Sequence, residues 1–151
     1  MAKYLTATDQ NVALNGNIPF DVVSIPCNRG CVTPIATGVL TLRGGGTNRF
    51  SRYEVNLQAN VAIPTGGAVT PVALAIIVEG ATVDESVAIV TPAAVDDVWH
   101  INTSATITVP NGCCVTVSAR YVDATVDDAA VVPTPSIFVR RHASLTVERV
   151  A

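Results

Sequence analysis

Charge is what this chain has least of. Asp, Glu, Lys and Arg make up 14% of its 151 residues, Lys3 is the one lysine, and the formal net charge is -3. An ordinary domain carries about a quarter charged residues, so much of the polar work here falls to Thr, Ser and Asn. Without a basic stripe nothing stands ready to neutralise phosphates, which argues against nucleic acid and an anionic membrane as partners. Leu, Glu and Lys, the usual makers of amphipathic helices, are scarce. The longest apolar run, Pro71 to Val78, is far too short to cross a bilayer as a helix. Met1 to Gln10 reaches Asp9 before an apolar run forms, so no secretory signal is expected and synthesis in the cytoplasm is. Enzyme signatures are missing too. There is no Gly-x-Ser-x-Gly elbow and no His-Glu-x-x-His helix, and Gly44-Gly45-Gly46 precedes no helix that would make it a phosphate cradle. The expectation is a protein that is not an enzyme and takes no cofactor.

What is present is a succession of strands. Tyr53, Val55, Leu57, Ala59, Val61 and Ile63 alternate with Arg52, Glu54, Asn56, Gln58 and Asn60, an unbroken period of two. From Trp99 the pattern returns, with Ile101, Ala105, Ile107 and Val109 on one side and His100, Asn102, Ser104, Thr106 and Thr108 on the other. Further strands are read at Leu40 and Leu42, at Val115 to Tyr121, and from Val139 through Ala143 and Leu145 to Val147. Shorter ones are read near residues 11–14, 18–23 and 86–90. Gly and Pro punctuate these runs, and Asn111-Gly112 is a hairpin-turn candidate. Many short strands in a chain of single-domain length predict an all-β, antiparallel two-sheet jelly-roll sandwich. We assign residues 1–10 to an N-terminal anchor or leader arm and residues 11–151 to the single jelly-roll domain.

The order of the strands, a short pair first, a long strand at 50–63 and a last strand ending on the final residues, resembles the tumour necrosis factor and C1q-like jelly roll. Local strings resemble small proteins from phages and prophages of gut Firmicutes. They are Cys27-Asn28-Arg29-Gly30, Leu40-Thr41-Leu42-Arg43-Gly44-Gly45, Val109-Pro110-Asn111-Gly112-Cys113-Cys114 and Leu145-Thr146-Val147-Glu148-Arg149-Val150, with Ala93-Ala94-Val95 following Thr91-Pro92. The resemblance implies a homotrimer. The small uncharged sides of the strands suit such an interface, and Asn56, Gln58, His100, Asn102, Phe138 and His142 are its candidate residues. It also implies a virion structural protein, a trimeric capsid decoration or head-fibre protein at the particle surface, with a major capsid protein or another virion component as partner. Lys3, Tyr4 and Leu5 in the N-terminal arm are the candidate capsid anchor. The alternatives are a receptor- or carbohydrate-binding tip that meets a host-surface glycan, and a spore-surface domain, although no collagen-like stalk is present.

Cys27, Cys31, Cys113 and Cys114 form two close pairs, but their gaps do not match zinc knuckles. Buried thiols are the default for a chain made in a reducing compartment, with a disulfide between the two regions left open. His100 and His142 lack a partner at metal-ligand spacing and read as surface or interface residues, whose protonation around a threefold axis would loosen a trimer. Asp96-Asp97 and the Asp123, Asp127, Asp128 group read as exposed acidic turns.

Overall fold

In the computed structural model, residues 1–27, 32–36, 38–45, 49–112, 114–123 and 134–150 are described. They form thirteen strands: β1 Ala2–Leu5, β2 Gln10–Ala13, β3 Val22–Ile25, β4 Val32–Ala36, β5 Val39–Arg43, β6 Phe50–Ala62, β7 Val72–Val78, β8 Ala81–Thr82, β9 Ala88–Val90, β10 Trp99–Pro110, β11 Cys114–Val122, β12 Ser136–Val139 and β13 Ser144–Arg149. One short 3-10 turn spans Asp84–Ser86. The first sheet has the order β2-β12-β6-β13-β1-β3, with β10 on the other side of β6. The second has the order β4-β5-β11-β7-β8, with β9 also paired to β7. Every strand pair is antiparallel. The architecture is the antiparallel two-sheet jelly roll that the alternation predicts.

The core lies between the sheets. Tyr53, Val55, Leu57 and Val61 from β6 and Ile101, Ala105, Ile107 and Val109 from β10 meet Leu74, Ile76, Val117 and Tyr121 from the second sheet, all of them buried. Tyr53 and Tyr121 are admitted to this apolar space because the hydroxyl of each finds a partner. Tyr53 donates across the sandwich to the carbonyl of Arg43 (2.5 Å), and Tyr121 donates to that of Thr134 (2.8 Å). Ser86 performs a similar repair. Its buried hydroxyl oxygen accepts from the amide of Ile76 (2.9 Å), a position on β7 between the residues that pair with β8 and β9. The Ser86 carbonyl accepts from the Thr103 hydroxyl (2.6 Å), which ties the two sheets together.

Five readings need correction. The arm over residues 1–10 is a part of the first sheet: β1 pairs with both β13 and β3, and Ala2 and Tyr4 are buried in the core. Tyr4 therefore cannot serve as an anchor while the domain is folded, whereas Lys3 and Leu5 lie half-buried on the outer side. Asn111-Gly112 is a turn, with Gly112 at φ 77, yet it makes no hairpin, because β10 belongs to the first sheet and β11 to the second. It is a corner where the chain changes sheets, and Gly44 packs so close to Pro110 there that an added Cβ would stand 2.2 Å from its carbonyl oxygen. The true two-residue hairpin is Glu79-Gly80 between β7 and β8, where both residues have positive φ, as the twist of paired strands requires.

The last correction concerns the C-terminal strand, which is broken. Val139 pairs with Val61 and Ser144 with Gln58, so five steps along one strand face three along the other and two extra residues bulge out between them. The bulge is fastened from the N-terminal side. The amide of Arg141 donates to the Asp9 carboxylate (2.7 Å), and the amide of Ala143 donates to the buried hydroxyl of Thr6 (3.1 Å). His142 sits in this bulge with φ 70, exposed, and is not on a strand side as its sequence position implied.

Candidate functional site

The outer side of the first sheet is a broad polar surface laid out by strand register. Gln58 faces Ser144 on one side and Asn102 on the other; Asn56 likewise faces Thr146 and Ser104, and Asn60 faces His100. His100 Nδ1 lies 3.1 Å from Asn60 Oδ1. Sequence thus placed Asn56, Gln58, His100 and Asn102 correctly on one surface. Phe138 shares that surface at its end, paired with Ala62 and Asn11. His142 does not belong to it.

Two features of this surface are unfavourable in the isolated chain. Glu54 and Glu148 stand directly opposite each other, an arrangement of like charges that costs stability. They border a shallow notch of about 150 Å3 together with Asn56, Gln58 and Thr146. Inside it, Asn56 Oδ1 is buried and accepts no hydrogen bond, although buried carbonyl oxygens nearly always find a donor. The edges of the sheet are equally unguarded. Among the described residues β10 pairs only with β6, so a 12-residue edge is left open, and its outward side chains from His100 to Thr108 include no Asp, Glu, Lys or Arg. At the opposite edge β3 exposes Val22, Val23 and Ile25, Val23 to 48%. Monomeric proteins usually blunt such edges with charge, proline or bulges.

Beyond the row of Asn60 and His100, the surface ends in a cavity of about 360 Å3 lined by Asn11, Pro64, Thr65, Asp96 and Phe138. A second hollow of about 490 Å3 adjoins it, shares Pro64 and Thr65, and continues past Gly66 and Gly67 to Thr134. Asp96 has φ 64. Its amide donates to the carbonyl of Ile63 (2.9 Å) and its Oδ2 accepts from the Thr65 hydroxyl (2.8 Å). The Arg140 guanidinium lies over the Phe138 ring, 5.9 Å from its centre. Asp97 accepts from the indole of the half-exposed Trp99 (2.8 Å). Asp96 is the exposed turn residue that the sequence suggests; what the sequence does not show is the cavity it borders, whose residues come from four distant stretches of chain with no local signature.

The cysteines depart from the buried-thiol expectation. Cys27 is disulfide-bonded, and Cys114 is exposed at the start of β11. Cys31 and Cys113, like Asp127 and Asp128, lie outside the described residues. Among the described residues no three His, Cys, Asp or Glu side chains gather as a metal site.

No protein-family model matches the sequence, and no curated protein matches it. Solved structures do match in shape. The Eiger TNF of S. frugiperda is 9% identical, with 99% of this chain and 91% of that chain covered and a TM-score of 0.63. Rabbit GITRL is 12% identical over 94% of each chain, with a TM-score of 0.43. The EclA C-terminal domain, described as a sugar-binding protein, is 11% identical over 95% of this chain and 79% of that one, with a TM-score of 0.42. On the strength of the first of these and of the two-sheet topology above, the chain has the TNF-like jelly-roll fold.

Proposed function

We propose that this chain is a virion structural protein that assembles as a homotrimer through the outer side of its first sheet and decorates the surface of a phage particle. The observation that carries the assembly is the condition of that side: the open edge of β10 with no Asp, Glu, Lys or Arg, the unsatisfied Asn56 acceptor and the opposed Glu54 and Glu148 all lie on one surface. A neighbouring copy that covers the surface supplies donors to Asn56 and closes the edge. Small neutral side chains such as Asn102 and Ser104 can be covered at little desolvation cost compared with Lys or Glu. The phage assignment is supported by the local strings of the sequence. No catalytic role enters this reading, and attachment to a capsid falls to surfaces other than the buried Tyr4.

Sedimentation velocity on the full chain tests the assembly, with a species of three chain masses expected. A single-chain mass throughout the micromolar range overturns it. The virion assignment is tested by banding particles from cells that carry the gene in a density gradient. The chain is expected in the particle band, and its confinement to the soluble fraction defeats the reading.

A further inference from the structure

The cavity at the end of the polar surface has the composition of a recognition site for a small polyhydroxylated ligand, and the geometry points to a neutral sugar ring as its occupant. Its volume of about 360 Å3 falls at the low end of ligand pockets, which suits one ring better than a long apolar molecule. One wall is aromatic. Phe138 is half-buried, its ring covered in part by Arg140, and it offers an apolar surface of the kind against which the C–H faces of sugars pack.

The other walls are hydrogen-bonding groups of mixed kind. Asn11 brings an amide with donors and an acceptor, Thr65 a hydroxyl, and Asp96 a carboxylate. A ligand with neighbouring hydroxyls can donate to the carboxylate while it accepts from the amide, and a purely apolar ligand would leave these groups unpaired. Asp96 is held in place for this. Its backbone adopts φ 64, a left-handed conformation that Asp takes up more readily than most residues. The Ile63 carbonyl and the Thr65 hydroxyl fasten it there, so the exposed carboxylate keeps one orientation. Among the described residues Asp96 is the one charged side chain that lines the cavity, with the Arg140 guanidinium drawn over Phe138 beside it, so an acidic sugar would set its carboxylate against that of Asp96. The adjoining hollow past Gly66 and Gly67 leaves room for a second ring of the same saccharide. All of its lining comes from one chain, and the inference requires the trimer to cover the middle of the polar surface and leave the Phe138 end open.

Amide NMR shifts of the isotope-labelled full chain test this, with the methyl glycosides of glucose, galactose and N-acetylglucosamine as probes and N-acetylneuraminic acid as the acidic arm. At about 10 mM sugar a site with a dissociation constant near 1 mM is almost saturated. At least one neutral glycoside is expected to move the amides of Thr65, Asp96 and Phe138, with no response to the acidic sugar. Phe138→Ala is expected to abolish the shifts. Asp96→Asn is the safer variant, since Asn tolerates the same backbone angle, and it is expected to weaken binding tenfold or more without changing the melting temperature. Silence from all three neutral glycosides overturns the inference, as do shifts confined to other residues, a preference for the acidic sugar, or affinity unchanged in both variants. Sedimentation of the same sample reports the trimer separately, so a monomer that binds sugar refutes the assembly and leaves this site standing.

Discussion

β6 and β7 are both rich in apolar residues, yet they meet their surroundings in opposite ways. On β6 large inward residues alternate with Arg52, Glu54, Gln58 and Asn60, which stay exposed or half-exposed on the outer side. On β7 the inward Val72, Leu74 and Ile76 alternate with Ala73, Ala75 and Ile77, and these outward residues are buried as well. The second sheet is thus covered on both sides within the chain itself at β7. The first sheet is covered on one side alone, although the middle of its other side, built of Asn56, Gln58, Asn60, Asn102 and Ser104, lacks the charge of an ordinary solvated surface. The difference assigns the two sheets separate tasks, one completing the domain and the other available to a partner.

The strongest way to break this contrast is to place the same charge on both outer sides. Ala75→Asp puts a carboxylate where no water reaches, with an expected loss of about 4 kcal/mol, the scale of an unpaired buried charge. Asn102→Asp on β10 is exposed and is expected to alter the stability of the separate chain by no more than about 0.5 kcal/mol. On the proposed trimer reading it places a charge in the interface of every copy and is expected to shift sedimentation from three chain masses to one. Urea midpoints and sedimentation of both variants make the comparison. Equal losses of stability would erase the distinction between the two sides.

A smaller effect comes from the tyrosines that cross the core from each sheet. Burial, with Asp123 adding, pushes the Tyr121 hydroxyl up to about 12. Burial raises Tyr53 as well, but Arg149 works in the opposite direction there. In the unfolded chain either hydroxyl ionises near pH 10. The folded state therefore holds its proton longer, so the contribution is complete below about pH 10 and is lost as pH rises towards 12. For Tyr121 the loss is about 2 to 3 kcal/mol, two units at about 1.4 kcal/mol each. Tyr121→Phe is expected to flatten the fall in urea midpoint above about pH 10 more than Tyr53→Phe does. An equal flattening would show that the two sheets bury their tyrosines alike.

How far the fold is legible follows from the same contrast. β6 and β10 are plain in the sequence because polar and apolar residues alternate over most of each strand, with interruptions at Phe50-Ser51 and at Thr103. β7 carries no alternation, since both of its sides are buried, and it reads only as an apolar run. The register interruption after Val139 is invisible for a different reason: two extra residues restore the parity of a strand, so Val139, Leu145 and Val147 still face inward on either side of it. β1 is too short, and Ala2 and Lys3 too ordinary, to announce a core strand. The Asn111-Gly112 dipeptide specifies a turn but not which sheet the next strand joins. Of the polar surface, the part built from long strands was readable. The cavity was not, because Asn11, Thr65, Asp96 and Phe138 converge only through the pairing of β2 with β12 and of β12 with β6.

The register interruption also supplies the finest test of how the first sheet is held. Through it β12 and β13 both reach the same side of β6, which is what brings Phe138 to the end of the polar surface and Thr146 to its middle. Thr6, buried in the facing N-terminal segment, accepts the Ala143 amide on its hydroxyl oxygen, while its own backbone exchanges bonds with Ala143 and His142. Thr6→Val retains shape and backbone but removes the acceptor, leaving a buried N–H unpaired at a cost of about 1 to 2 kcal/mol. Thr6→Ser retains the acceptor and trades only a methyl group, worth about 1 kcal/mol. Hydrogen exchange separates the two losses. In Thr6→Val the Ala143 amide is expected to lose protection beyond the global change while the amides of β7 follow the global change alone, and in Thr6→Ser both are expected to move together. Selective exposure of Ala143 in the serine variant as well would mean that packing of the threonine methyl, and not its hydroxyl, holds the first sheet in register.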